Sequence, residues 1–160
     1  MLSKTFYFSN IGTGHPLWAI LKPVRHQNLK ILRMEITHIG IWASDLDAMK
    51  AFYTHYFKGI SNDKYTNSIK KFESYFITFE SGAKLELMRK ESISKAKNKE
   101  EQVGIAHIAF SLGSKDEVIL LTEQLRSDGI KIVGEPRTTG DGYFESVVLD
   151  VEGNRIELLA

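Results

Sequence analysis

The 160-residue chain contains no cysteine. That excludes disulfides, thiolate metal sites and cysteine nucleophiles, and it fits a reducing, cytoplasmic setting. No apolar run approaches the roughly 20 residues that a membrane-spanning helix requires, so no membrane partner is expected. Acidic residues are missing from positions 1 to 33, where Lys4, Lys22, Arg25, Lys30 and Arg33 are the only charged side chains. The remainder, with 16 basic and 20 acidic residues, carries −4. A body of that balance gives no electrostatic ground for binding nucleic acid.

What is present, 42% hydrophobic and 26% charged residues, is the composition of one soluble globular domain. The basic leader has neither the uninterrupted apolar core nor the small-residue cleavage site of a secretory signal. Gly12, Gly14, Pro16 and Pro23 interrupt any amphipathic periodicity there. Residues 1–33 therefore read as an extension outside the fold, with the functional domain spanning 34–160.

Within that domain the chain repeats itself. "ITHIGI" (36–41) aligns with "IAHIAF" (105–110) at an offset of 69, and "GAKLEL" (82–87) with "GNRIEL" (153–158) at an offset of 71. "FES" recurs at 72–74 and 144–146, an offset of 72. Three matches in one order at nearly one spacing indicate a tandem duplication: module 1 at about 34–89, a polar linker over 90–103, and module 2 at about 104–160.

Alternating apolar positions predict a strand around 35–42 in module 1 and around 104–112 in module 2. Ser44 and Ser114 stand as N-caps before helical spacings that Gly59 and Gly129 end. Three strand-like runs follow each helix: 60–66, 71–79 and 83–89, then 130–137, 143–149 and 154–159. Each module is thus βαβββ, which makes the fold class α+β. The linker reads as solvated, with a short exposed helix as an alternative.

Four residues break the apolar pattern in matching places: His38 and His107 in the first strands, Glu86 and Glu157 in the last. Strand alternation turns Leu85 and Leu87 one way and Glu86 the other, and Ile156 and Leu158 flank Glu157 in the same way. Two carboxylates and two neutral imidazoles facing one another form a nitrogen and oxygen ligand set for one divalent transition metal, nickel, zinc or cobalt. Trp42, Tyr75 and Phe110 are strand aromatics that either fill the core or line a cavity. The segment "PRTTGDGYFES" (136–146) reads as a hairpin connection with Gly140 and Gly142 at positive φ. Alternatively, Arg137 binds a substrate carboxylate through its planar fork, with Tyr143 or Thr139 lining the cavity.

The motifs "THIGIW", "SDLDAMKAFYTHYF", "SGAKLELM", "AHIAFSLGSKDEV" and "DVEGNRIELL" resemble the vicinal oxygen chelate superfamily. That group includes glyoxalase I, methylmalonyl-CoA epimerase, ring-cleaving dioxygenases and the fosfomycin- and bleomycin-resistance proteins. The resemblance implies paired βαβββ modules in a cupped mixed sheet around a metal, and a homodimer in which modules of different chains can share a site. The quartet His38, Glu86, His107 and Glu157 is similar to the four metal ligands of glyoxalase I. It implies a lyase or isomerase acting on an α-hydroxy carbonyl or a thiol hemithioacetal through an ene-diolate, with Glu157 or Glu86 moving the proton. The basic residues that hold glutathione in glyoxalase I are not matched one by one. The superfamily also implies two alternatives: a metal-independent binding protein of the bleomycin-resistance type, and a three-ligand dioxygenase or thiol transferase.

Overall fold

The computed structural model describes residues 35–94 and 103–160. The expected N-terminal extension, 1–33, lies outside the described residues, as does most of the linker, 95–102, where the alternative helix was placed. The described elements of module 1 are β1 (Ile39–Trp42), α1 (Leu46–Tyr56), β2 (Ile60–Ser61), β3 (Tyr65–Asn67), β4 (Phe72–Thr78) and β5 (Lys84–Lys90). Module 2 has β6 (Ile108–Ser111), α2 (Lys115–Ser127), β7 (Ile132–Thr138), β8 (Phe144–Leu149) and β9 (Arg155–Leu159).

Two mixed sheets result. The first runs β1-β5-β4-β2 with β3 paired to β4, and the second runs β6-β9-β8-β7. In each, the first strand lies parallel to the last and every other pair is antiparallel. One face of each sheet is apolar and covered by its module's helix. Tyr75, Ile77, Leu85 and Leu87 are buried together with Met49, Phe52 and Tyr53 of α1. Val148, Ile156 and Leu158 join Val118 and Leu125 of α2 in the same cluster. Burying each such side chain contributes about 1.5–3 kcal/mol, so the helix-facing sides fix both registers.

The two modules meet through α1. The carboxylate of Glu152, in the β8–β9 turn, accepts from the backbone N–H of Ser44 and Asp45 and from the Ser44 hydroxyl. The Tyr53 hydroxyl donates to Asp150 at 3.0 Å. Phe57 stacks at a tilt on Phe110, 4.3 Å between centroids.

Several local expectations change. The histidine runs are not strands along their whole length: β1 starts one residue after His38 and β6 one after His107. Ile36 and Ile105, upstream, are exposed, because β5 and β9 offer backbone partners only from Leu85 and Ile156 onward. The run 60–66 is interrupted between β2 and β3.

Ser114 caps α2, its hydroxyl accepting from the Glu117 N–H. In module 1 the cap is Asp45, which accepts from Ala48 N–H at 2.9 Å, because the Ser44 hydroxyl is taken by Glu152. Gly129 does end α2 at φ 82, whereas after α1 the left-handed residue is Lys58 at φ 54. Gly59 answers a different need: a Cβ there would lie 2.3 Å from Ile77. In the hairpin, Gly142 has positive φ and Gly140 does not.

The "FES" match is also out of step. Sheet pairing sets Glu86 opposite Phe76 and Glu157 opposite Val147, so the structural offset across β4 and β8 is 71. Ser74 therefore corresponds to Glu145, and Tyr75 to Ser146. A one-residue slip exchanges faces: Glu73 lies on the helix side of its sheet and Glu145 on the opposite side.

Candidate functional site

The face of each sheet turned away from its helix carries the expected ligands. Gly40 pairs with Glu86, and Ala109 with Glu157. His38 and His107, one residue upstream of β1 and β6, stand on the same side as these carboxylates, as their contacts show. His38 Nε2 lies 3.4 Å from Glu86 Oε2, and His107 Nδ1 lies 3.1 Å from Glu157 Oε1. Side-chain exposure is 39% and 19% in the first pair and 43% and 20% in the second. Each carboxylate is thus largely covered and each imidazole half open.

These separations suit two ligands of one ion. Donors held about 2.0–2.2 Å from a metal and roughly at right angles to each other sit about 3 Å apart. The His38 ring is further fixed by Thr37 Oγ1, 3.0 Å from Nδ1, and by the edge-on ring of Phe76 at 5.3 Å.

The two pairs do not come together within the chain. Among the described residues, no three histidine, aspartate or glutamate side chains are placed to hold one ion. The cleft between the modules, of ≈ 850 Å³, is lined by Ile39, Phe57, Phe79 and Phe110 and by only one of the four candidates, His107. The chain thus presents two separate His–Glu pairs, His38 with Glu86 and His107 with Glu157.

The remaining candidates divide. Arg137, on β7, pairs with Glu145 of β8 in register and donates from Nη2 to its carboxylate at 3.0 Å. Glu145 pairs with Leu159, so this ion pair lies on the face that bears Glu157. The Thr139 hydroxyl is engaged within the turn by Asp141 and by the Tyr143 carbonyl, while Tyr143 is exposed.

Trp42 shares the face of His38 and touches Phe72 edge-on. Tyr75 is buried against α1 with its hydroxyl on Asp47 and belongs to the interior, whereas Phe110, partly buried, packs on Phe57 and Phe79 and lines the cleft. Glu145 escaped the sequence reading because the slipped "FES" equated it with Glu73. The signal that corrects this is the offset of 71 shared by the two glutamates of β5 and β9.

The sequence profile of the Glyoxalase/Bleomycin resistance protein/Dioxygenase superfamily matches residues 35–158. The Uncharacterized protein YqjT of Bacillus subtilis is 27% identical over 131 residues, which cover 77% of this chain and 96% of that protein. The trypanothione-dependent glyoxalase I of Leishmania major is 25% identical, with a TM-score of 0.65 over 79% of this chain and 86% of the enzyme's. Glyoxalase I of Zea mays aligns with a TM-score of 0.63 at 24% identity over 77% of this chain. The chain spans 43% of the maize enzyme's length, and that likeness shows the fold alone. With a profile matched from the edge of β1 almost to the end of β9, on a duplicated βαβββ scaffold, the chain belongs to the glyoxalase/bleomycin resistance protein/dioxygenase superfamily.

Proposed function

We propose that the protein is a divalent-metal-dependent lyase or isomerase of glyoxalase I type. Its site would be assembled in a homodimer from His38 and Glu86 of one chain and His107 and Glu157 of a second copy. The observation that carries this reading is the pair of preformed His–Glu half-sites, at equivalent sheet registers and with ligand-like spacing, in a chain that does not unite them. Two imidazoles and two carboxylates satisfy a dipositive ion and leave positions for a substrate's two oxygens.

When bound, the ion supplies Lewis-acid polarisation of the adjacent oxygens of an α-hydroxy carbonyl or a thiol hemithioacetal. The protein's own part is proton transfer. A carboxylate, Glu157 or Glu86, removes the proton from one carbon and returns it to the neighbouring one. The electron pair is delocalised over the two carbons and their oxygens in the interval. Partial burial of both carboxylates keeps bulk water from competing for that proton.

Metal analysis of protein purified without chelator, combined with turnover of methylglyoxal adducts of several thiols, tests the proposal. Both His107→Ala and Glu86→Gln are expected to lose metal and to reduce turnover by at least about 100-fold, the usual scale for a proton-transfer residue. Metal retained in Glu86→Gln would point to the three-ligand members. Ligand binding unaffected by loss of all four residues would point to a metal-independent binding protein.

A further inference from the structure

We infer that Arg137, positioned by Glu145, is the specificity-determining anion clamp of this site, and that the substrate is a carboxylate with an apolar, preferably aromatic, body. The inference deepens the proposed function, resting on its assignment of the helix-free sheet faces to the substrate.

The two modules share their βαβββ order but differ on these faces. Tyr65 pairs with Ser74 in module 1, and Arg137 with Glu145 in module 2. With the structural offset of 71 across β4 and β8, these pairs are equivalent. The module 1 position is aromatic: Tyr65 packs on Phe72 and Phe72 on Trp42, at 6.2 and 6.3 Å between centroids. The equivalent place in module 2 holds a cation and an anion. Because module 1 makes the equivalent β3–β4 pairing without them, that pairing does not require the charged pair.

The local backbone is shaped around the guanidinium. Strand β7 shifts register against β8 between Ile132 and Gly134 and again between Gly134 and Arg137, and such bulges re-aim side chains. A Cβ at Gly134 would lie 2.9 Å from Arg137 Nη1 and 3.0 Å from Val147. Glycine therefore leaves room at this position for the guanidinium beside Val147.

Glu145 is 13% exposed and Arg137 51% exposed. The carboxylate is thus a covered anchor and the guanidinium the presented surface. Besides Glu145, the guanidinium donates only weakly to the Glu135 carbonyl at 3.4 Å. Among the described residues its other N–H groups have no acceptor, leaving an edge of the fork for a planar anion. An exposed ion pair by itself contributes little stability, which does not account for two bulges and a reserved glycine.

Glu145 lies diagonally across from Glu157, about 7–8 Å away between Cα atoms, and Arg137 stands one strand further at about 4.8 Å. The bound carboxylate is then several bonds from the reacting carbons. In the proposed dimer the apolar remainder would meet the Trp42, Phe72 and Tyr65 surface that a second copy's module 1 presents on its helix-free face. This polarity gives a pseudo-symmetric cleft one preferred substrate orientation.

The test is calorimetric binding of 3-phenylpropionate, its neutral amide and acetate to the full-length protein, with divalent metal loaded and with metal removed. The acid is expected to bind at least tenfold more tightly than the amide and than acetate, in both metal states. Arg137→Gln should abolish the acid-over-amide preference while leaving the amide's affinity and the metal content unchanged. Arg137→Lys should keep a reduced preference, and Glu145→Gln should weaken the acid alone. Equal binding of acid and amide, binding of neither, or a preference that survives Arg137→Gln overturns the inference. Protein that holds no metal yet keeps the Arg137-dependent preference refutes the lyase proposal and leaves this one standing.

Discussion

At the scale of single residues, the buried polar contact that joins the modules predicts a loss of stability in alkali. Tyr53 is fully buried with its hydroxyl on Asp150, and burial, with the Asp150 charge and hydrogen bond adding to it, pushes its phenol far above the ordinary 10.0. A folded-state value raised in this way means that the unfolded chain releases the Tyr53 proton first as pH climbs. Its contribution is complete below pH 10 and declines above it, by up to about 1.4 kcal/mol per pH unit. Urea midpoints of the wild type should therefore fall more steeply between pH 10 and 11 than those of Tyr53→Phe. At neutral pH that variant is less stable by about 1 kcal/mol through the lost hydrogen bond. Asp150 tolerates the change, since it still accepts from Glu152 N–H, Asn154 N–H and the Asn154 side chain. Parallel alkaline limbs in the two proteins would show that Tyr53 is not the titrating group.

At the scale of elements, the N-terminus of α1 is held by a residue from the other module. Glu152 accepts two backbone N–H groups and one hydroxyl there, and a carboxylate at a helix N-terminus also complements its dipole. Glu152→Ala should cost about 1–2 kcal/mol and speed hydrogen exchange in the first turn of α1 while α2, capped by its own Ser114, is unchanged. Equal acceleration in both helices would contradict this anchoring. The sequence could not display the anchor, because the partners are 107 and 108 residues apart; it displayed Ser44, a good cap by type, and the cap proved to be its neighbour Asp45. What was legible were features with local cause: the βαβββ order, the Ser114 cap, the alternation that separates Glu86 from Leu85 and Leu87. The face of Glu145 was not legible, since a three-letter match cannot distinguish an offset of 72 from 71, and that single residue decides which side of a sheet a charge occupies. Nor was the extent of β1 and β6, which depends on where β5 and β9 offer partners rather than on the apolarity of Ile36 or Ile105.

At the scale of the whole molecule, the proposed dimer turns the two separated His–Glu pairs of each chain into halves of two shared sites. Strands β1 and β6 are the outer strands of their sheets, and Ile39 and Trp42 on β1 remain exposed; both are surfaces that a second chain can cover. If His38 and Glu86 of one copy meet His107 and Glu157 of another, the stoichiometry of mixed dimers becomes decisive. One variant carries His38→Ala with Glu86→Gln, the other His107→Ala with Glu157→Gln, and each alone forms dimers in which every shared site lacks two ligands. A dimer containing one of each has one site missing all four ligands and one with all four intact. The expected result is no bound metal in either pure variant and one ion per mixed dimer, with turnover appearing on co-expression at about half the wild-type rate per mixed dimer. Sites built within single chains predict none in any of the three preparations, because each chain would then carry its own damaged half. Two ligands alone hold a divalent ion far more weakly than four, so the same geometry makes metal retention depend on protein concentration. Dilution below the dimer's dissociation constant should release the ion, an outcome that an intrachain quartet would not produce.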